Sequence, residues 1–160
     1  QAEDGIRDRS PSRGLGDVYK RQSLQRPLDS RTQIRISLEA EAVLGIIQFS
    51  EDGTLELVSS DVLLFETRQN PQPERQEYAL AVLAQARVFV ETDEAIRQRG
   101  VELERQGLGA LDALHLAAAE AAEADYFCTT DDKLLKRGRS LAHGTRVVSA
   151  MELIEEISND

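Results

Sequence analysis

Three acidic residues lie in sequence surroundings where an acid is unusual. Glu66 follows the apolar run Val62–Phe65, Asp112 lies within the largely apolar segment Leu111–Leu116, and Asp131 follows a pair of threonines. Burying a carboxylate is costly unless it is paired, hydrogen-bonded or bound to a cation. Oxygen donors are the ligands that Mg²⁺ and Mn²⁺ prefer. If the three side chains converge, they could therefore hold a divalent ion for hydrolytic chemistry.

Each of these acids also has a purely structural interpretation, which the sequence leaves open. Asp131 could be the N-cap of the helix that follows it, and Asp112 could cap its own helix after Gly109. Glu66 could occupy the solvent-facing side of an amphipathic helix. Spacing along the chain does not show whether the three side chains converge.

His115 and Cys128 are the other residues with chemical potential. His115 lies one helical turn after Asp112, so the two can share a helix face. A catalytic Asp–His pair is one interpretation, and a packed core histidine is the favoured one. Cys128, the only cysteine, follows two aromatic residues within a predicted strand and is expected to be a small buried hydrophobe.

The elements that must position these residues alternate between helix and strand from Ser23 onward. The predicted helices share amphipathic spacing or capping residues and cover 37–52, 60–69, 73–86, 93–106, 111–122, 131–137 and 150–157. The predicted strands are short apolar runs at 55–58, 88–90, 125–129 and 146–148. In the third helix we expect Tyr78 and Val82 to be buried. Strands separated by helices predict an α/β fold with a central parallel sheet, whose functional sites lie at the carboxyl ends of the strands.

Composition narrows the class of protein further. The chain has 160 residues, which suits one domain, and its formal net charge is −10. Such a surface disfavours tight non-specific binding of nucleic acid, although bound divalent ions would invert the charge of an acidic pocket. No run approaches the roughly 18 apolar residues of a membrane span. We expect a soluble, cytoplasmic domain without a membrane partner.

Residues 1–22 differ from the rest and are predicted to be a non-native or disordered leader. They contain several basic residues, Pro11 and three glycines, without helical or strand periodicity. Asp17–Gln22 can be encoded by GAT-GTG-TAT-AAG-AGA-CAG, which resembles the transposon end used in sequencing-library preparation. We therefore divide the chain into a leader, 1–22, and a domain, 23–160.

The segment Leu111–Glu120, followed by Ala124–Leu135, resembles the carboxyl half of a PIN domain, most closely that of VapC-type ribonuclease toxins. Ser60–Glu66 resembles the earlier helix of that family, which carries another acid. The resemblance implies a three-layer α/β/α fold and a hydrolase that cleaves RNA with Mg²⁺ or Mn²⁺. The acids that it implies as catalytic and metal-binding are Glu66, Asp112 and Asp131. Their implied supporting residues are Thr129 and, as the alternative acid in a shifted register, Asp132.

The resemblance fails at the first strand of the family, which ends in an aspartate. The corresponding position falls near Lys20, and a lysine cannot bind Mg²⁺ as a carboxylate does. We therefore expect the first strand to be missing or replaced, and the chain to be inactive if that acid is essential. The resemblance also implies an antitoxin partner and a homodimer. The alternative hypothesis is a non-catalytic PIN-like module that binds RNA or a protein.

Overall fold

The computed structural model describes residues 6–7 and 30–159. Its helices are α1 (Ser30–Glu51), α2 (Asp61–Arg68), α3 (Pro73–Leu83), α4 (Glu94–Arg105), α5 (Ala110–Ala121), α6 (Asp132–Leu141) and α7 (Ala150–Ser158). Its strands are β1 (Ile6–Arg7), β2 (Glu56–Ser60), β3 (Val88–Val90), β4 (Tyr126–Cys128) and β5 (Arg146–Val148). No described helix combines the length and the apolar character that crossing a membrane requires.

The five strands form one sheet in the order β3-β2-β1-β4-β5. The outer pairs are parallel: Val58 of β2 lies opposite Val88, and Phe127 of β4 lies opposite Val147. The central strand β1 is antiparallel to both of its neighbours, β2 and β4. Strands β2 to β5 therefore all run in one direction, and their carboxyl ends share one edge of the sheet.

The antiparallel strand β1 was not predicted, and it lies at the centre of a sheet whose other four strands run in one direction. Ile6 pairs with Leu57 and Tyr126, so two residues of the predicted leader occupy the centre of the sheet. The rest of residues 1–22, including the position near Lys20, lies outside the described residues. The division into a leader and a domain thus stays a prediction.

Alternation along the strands separates two hydrophobic clusters and confirms the α/β class. Successive strand residues point to opposite faces of a sheet. Accordingly, Phe127 and Val147 pack in one cluster, whereas Cys128 and Val148 pack in the other. Helices α4, α5 and α6 contribute to the first cluster, and α1, α2, α3 and α7 contribute to the second. The result is three layers, with helices on both faces of the sheet.

Several predicted boundaries and one burial prediction were wrong. Helix α1 begins at Ser30, not at Ser37, since no glycine or proline interrupts the intervening residues. Helix α6 continues to Leu141, four residues beyond its predicted end. Tyr78 is 40% exposed, because only the carboxyl-terminal turn of α3, with Val82 and Leu83, reaches the core. The predicted burial of Cys128 is confirmed.

Candidate active site

Glu66 is positioned by the strand–helix junction that follows β2. The Ser60 hydroxyl caps α2 by accepting the backbone N–H of Leu63 at 3.0 Å. Leu63 is buried in the core, and Glu66 lies three residues later on the same helix face. Glu66 is therefore directed inward: its side chain is only 18% exposed. The solvent-facing interpretation of Glu66 does not hold.

Asp112 and His115 share the inward face of α5. The N-cap position of this helix is occupied by Gly109, and whether the Asp112 carboxylate helps to cap the helix stays a prediction. Asp112 lies in the first turn and is half-buried, whereas His115, one turn later, is completely buried. The core-histidine interpretation agrees with this burial, and the polar contact of the ring is with another helix.

That contact joins α5 to α2. His115 Nε2 lies 2.6 Å from Glu66 Oε2, across 49 residues of chain. Sequence reasoning considered Asp112 as the partner of His115 and missed Glu66. The sequence places both residues in apolar surroundings, but it gives no indication that their side chains meet.

Asp131 is held at the carboxyl end of β4 as the N-cap of α6. Its Oδ1 accepts the backbone N–H groups of Lys133 at 2.9 Å and Leu134 at 3.1 Å. The backbone N–H of Asp131 donates to the Thr129 hydroxyl at 3.0 Å. Thr129 is buried, and its own N–H donates to the carbonyl of Val148 on β5. The capping interpretation of Asp131 is therefore correct, and this role leaves a metal-binding role open.

Asp132, the alternative acid, is differently placed. It is the first residue of α6, its side chain is 64% exposed, and it forms an ion pair with Arg35 of α1. The Arg35 guanidinium therefore lies near the start of α6, the end of the helix that Asp131 caps.

Asp61 is a further acid at the carboxyl edge of the sheet. Its carboxylate links the start of α2 to the connection between β3 and α4. Its oxygens accept the Thr92 N–H at 2.9 Å, the Thr92 hydroxyl at 2.7 Å and the Val62 N–H at 2.8 Å. Burial by itself would raise the pKa of the Asp61 carboxyl. The hydrogen bonds outweigh burial and hold that pKa below its ordinary value of 3.8.

The lowered pKa of Asp61 predicts a pH-dependent contribution to stability. Because the pKa is lower in the folded state, the contribution is complete above the unfolded value and is lost as the pH falls through the folded value. The difference in unfolding free energy between the wild type and Asp61→Asn should therefore narrow as the pH falls below 3.8. Urea unfolding across this range, with the exposed Asp125→Asn as control, measures it. A constant difference between wild type and Asp61→Asn would contradict the prediction.

The oxygen donors of the three predicted acids are chemically suited to a divalent ion. Glu66, Asp112 and Asp131 offer carboxylate oxygens on partly buried side chains, and hard cations prefer oxygen ligands. Within the described part of the chain, however, no three His, Cys, Asp or Glu side chains are grouped as a bound metal ion requires. The described structure brings Glu66 to His115, and it does not assemble the three acids into a complete set of ligands.

Comparison with known proteins identifies one family. The family model described as the PIN domain matches residues 26–140, which is most of the chain. No curated protein matches the chain, and no solved structure matches it.

Proposed function

Because the chain belongs to the PIN-domain family, whose members are generally nucleases, we propose that it is a metal-dependent endoribonuclease of the VapC type. The observation that supports this proposal is the partial burial of Glu66 and Asp112 on two helices joined by the His115–Glu66 contact, while Asp131 lies at the carboxyl edge of the sheet. Sites in parallel α/β folds are found at this edge.

In this proposal Glu66, Asp112 and Asp131 hold Mg²⁺ or Mn²⁺. When bound, such an ion supplies an activated water and neutralises charge on the phosphodiester. Thr129 supports Asp131 by accepting its backbone N–H, which fixes the start of α6 relative to β4. Without a cation, three carboxylates repel one another, so ion binding itself is proposed to draw them into a single group.

Incubation of the full chain with a mixed RNA panel tests this function. We expect internal cleavage in Mn²⁺ or Mg²⁺ and none after chelation with EDTA. A folded chain that leaves every RNA intact at saturating Mn²⁺ would contradict the nuclease proposal. It would favour the alternative, a non-catalytic PIN-like module that binds RNA or a protein. That alternative is supported by the absence of a ready group of three ligands among the described side chains.

The two roles of Asp131 can be separated by one pair of variants. Serine and aspartate are similarly good N-caps, so Asp131→Ser should keep the stability of the wild type. Asp131→Ala should lose about 1 kcal/mol of unfolding free energy with the cap. Both variants should lose Mn²⁺-dependent cleavage, since neither retains the carboxylate. Denaturant unfolding and RNA cleavage measure the two effects, and full activity of Asp131→Ser would show that Asp131 acts only as a cap.

The family resemblance is the basis for proposing two interactions. The chain would associate with a second copy of itself, and an antitoxin segment would cover the acids. Exposed apolar side chains on α1 support the proposed homodimer interface, because Ile34 is 58% exposed and Leu44 is 50% exposed. Light scattering of the purified chain, with Ile34→Lys for comparison, measures whether it dimerises through α1.

A further inference from the structure

The contact between His115 and Glu66 joins a completely buried ring to a carboxylate of the proposed metal site. His115 is 0% exposed and Glu66 is 18% exposed, and the two atoms in contact are 2.6 Å apart. The same helix also buries Ala113, Leu116 and the alanines 117–119. The imidazole is thus fixed by packing, whereas the longer Glu66 side chain reaches it from α2.

The chemistry of the two groups determines the direction of the hydrogen bond. A carboxylate that binds a metal ion is ionised and has only acceptors, so in the proposed site His115 Nε2 donates its proton to Glu66 Oε2. A hydrogen bond to a carboxylate is about twice as strong as one between neutral groups. A donor held in a packed ring therefore restricts the rotation of the Glu66 carboxylate.

We propose that His115 is the positioning residue of Glu66, and that it orients this carboxylate toward the divalent ion. The inference rests on the proposed function, since it assigns Glu66 as a ligand. Partners that hydrogen-bond to a metal ligand fix its orientation, and their loss typically costs about 10–100-fold in metal affinity. Asp112 lies one turn from His115, so α5 would provide one ligand and the orienting group of another.

A matched pair of variants of the full chain tests this role. His115→Leu removes the donor but keeps an apolar side chain, and His115→Gln places an amide N–H near the position of Nε2. Calorimetric titration with Mn²⁺ should show affinity weakened about 10–100-fold in His115→Leu and largely restored in His115→Gln. A structural role in packing alone would affect both variants alike. Equal Mn²⁺ affinity in the wild type and in folded His115→Leu would overturn the inference and leave the proposed function standing.

A second measurement needs no substitution at His115. In ¹⁵N-labelled wild type, the imidazole should carry its proton on Nε2, and the resonance of that proton should shift on addition of Mg²⁺. In Asp112→Asn the shift should be lost. A resonance that does not move while other signals report Mg²⁺ binding would overturn the positioning role. Absence of any Mg²⁺ or Mn²⁺ binding to the wild type would instead overturn the proposed function.

Discussion

Asp112→Asn is expected to reduce Mn²⁺-dependent RNA cleavage at least about 100-fold, because loss of even an indirect partner of a metal ligand costs about 10–100-fold. The substitution keeps the size and shape of the side chain and removes its charge. Mn²⁺ titration by calorimetry should show a matching loss of affinity. The same titration, monitored by thermal unfolding, should lose the rise in melting temperature that a ligand of the folded state produces.

The fold should survive this substitution. Asp112 is an acid in the first turn of α5, where its charge interacts favourably with the helix dipole. That interaction amounts to about 0.3–1 kcal/mol. Glu94→Gln is the matched control, since Glu94 is an exposed first-turn acid of α4. Asp112→Asn with full activity, or a Glu94→Gln variant equally inactive, would contradict the assignment of Asp112.

Glu120→Ala is expected to destabilise the fold by about 3 kcal/mol, as measured by urea unfolding. Glu120 is 10% exposed and accepts Arg99 Nε at 2.8 Å, Arg99 Nη2 at 3.1 Å and the backbone N–H of His143 at 2.8 Å. Arg99 is 16% exposed and also donates to the carbonyl of Leu141. The carboxylate thus joins α4, α5 and the connection after α6. Removing it leaves a mostly buried guanidinium without its main counter-charge.

Glu102→Ala provides the matched control for this effect. Glu102 contacts the same guanidinium, at 3.0 Å from Nη1, but its side chain is 57% exposed. Exposed ion pairs contribute about 0–1 kcal/mol, so this variant should unfold close to the wild type. Equal destabilisation by Glu102→Ala and Glu120→Ala would show that burial does not determine the strength of this network. The double variant Arg99→Met/Glu120→Leu should lose less stability than the two single variants together, because no charge is left buried alone.

Local signals predicted much of the fold from the sequence. The sequence offered Ser60 or Asp61, Thr92 or Asp93, and Asp131 as helix caps, and the structure uses Ser60, Asp93 and Asp131. The first long helix ends at Glu51, two residues before Gly53, which adopts a φ of +88° that other residues rarely tolerate. These features depend on a few neighbouring residues, so the sequence contains the information needed to predict them.

Contacts between distant elements could not be predicted in this way. His115 and Glu66 are separated by 49 residues, and the apolar surroundings of each residue do not identify its partner. The pairing of Asp132 with Arg35 likewise joins the start of α6 to α1 over 97 residues. The antiparallel β1 was missed because Ile6–Arg7 lies in a segment without strand periodicity. A sequence pattern indicates which side of a helix or strand is apolar. Which of these sides contact each other is determined only by the packing of the whole fold.

The most direct test of the account is to locate Mn²⁺ in crystals of the full chain by anomalous diffraction. We expect a Mn²⁺ ion bound by carboxylate oxygens of Glu66, Asp112 and Asp131, each within about 2.5 Å of the metal. Crystals saturated with Mn²⁺ that show no ion at these three acids, or an ion bound only elsewhere, would contradict the central claim.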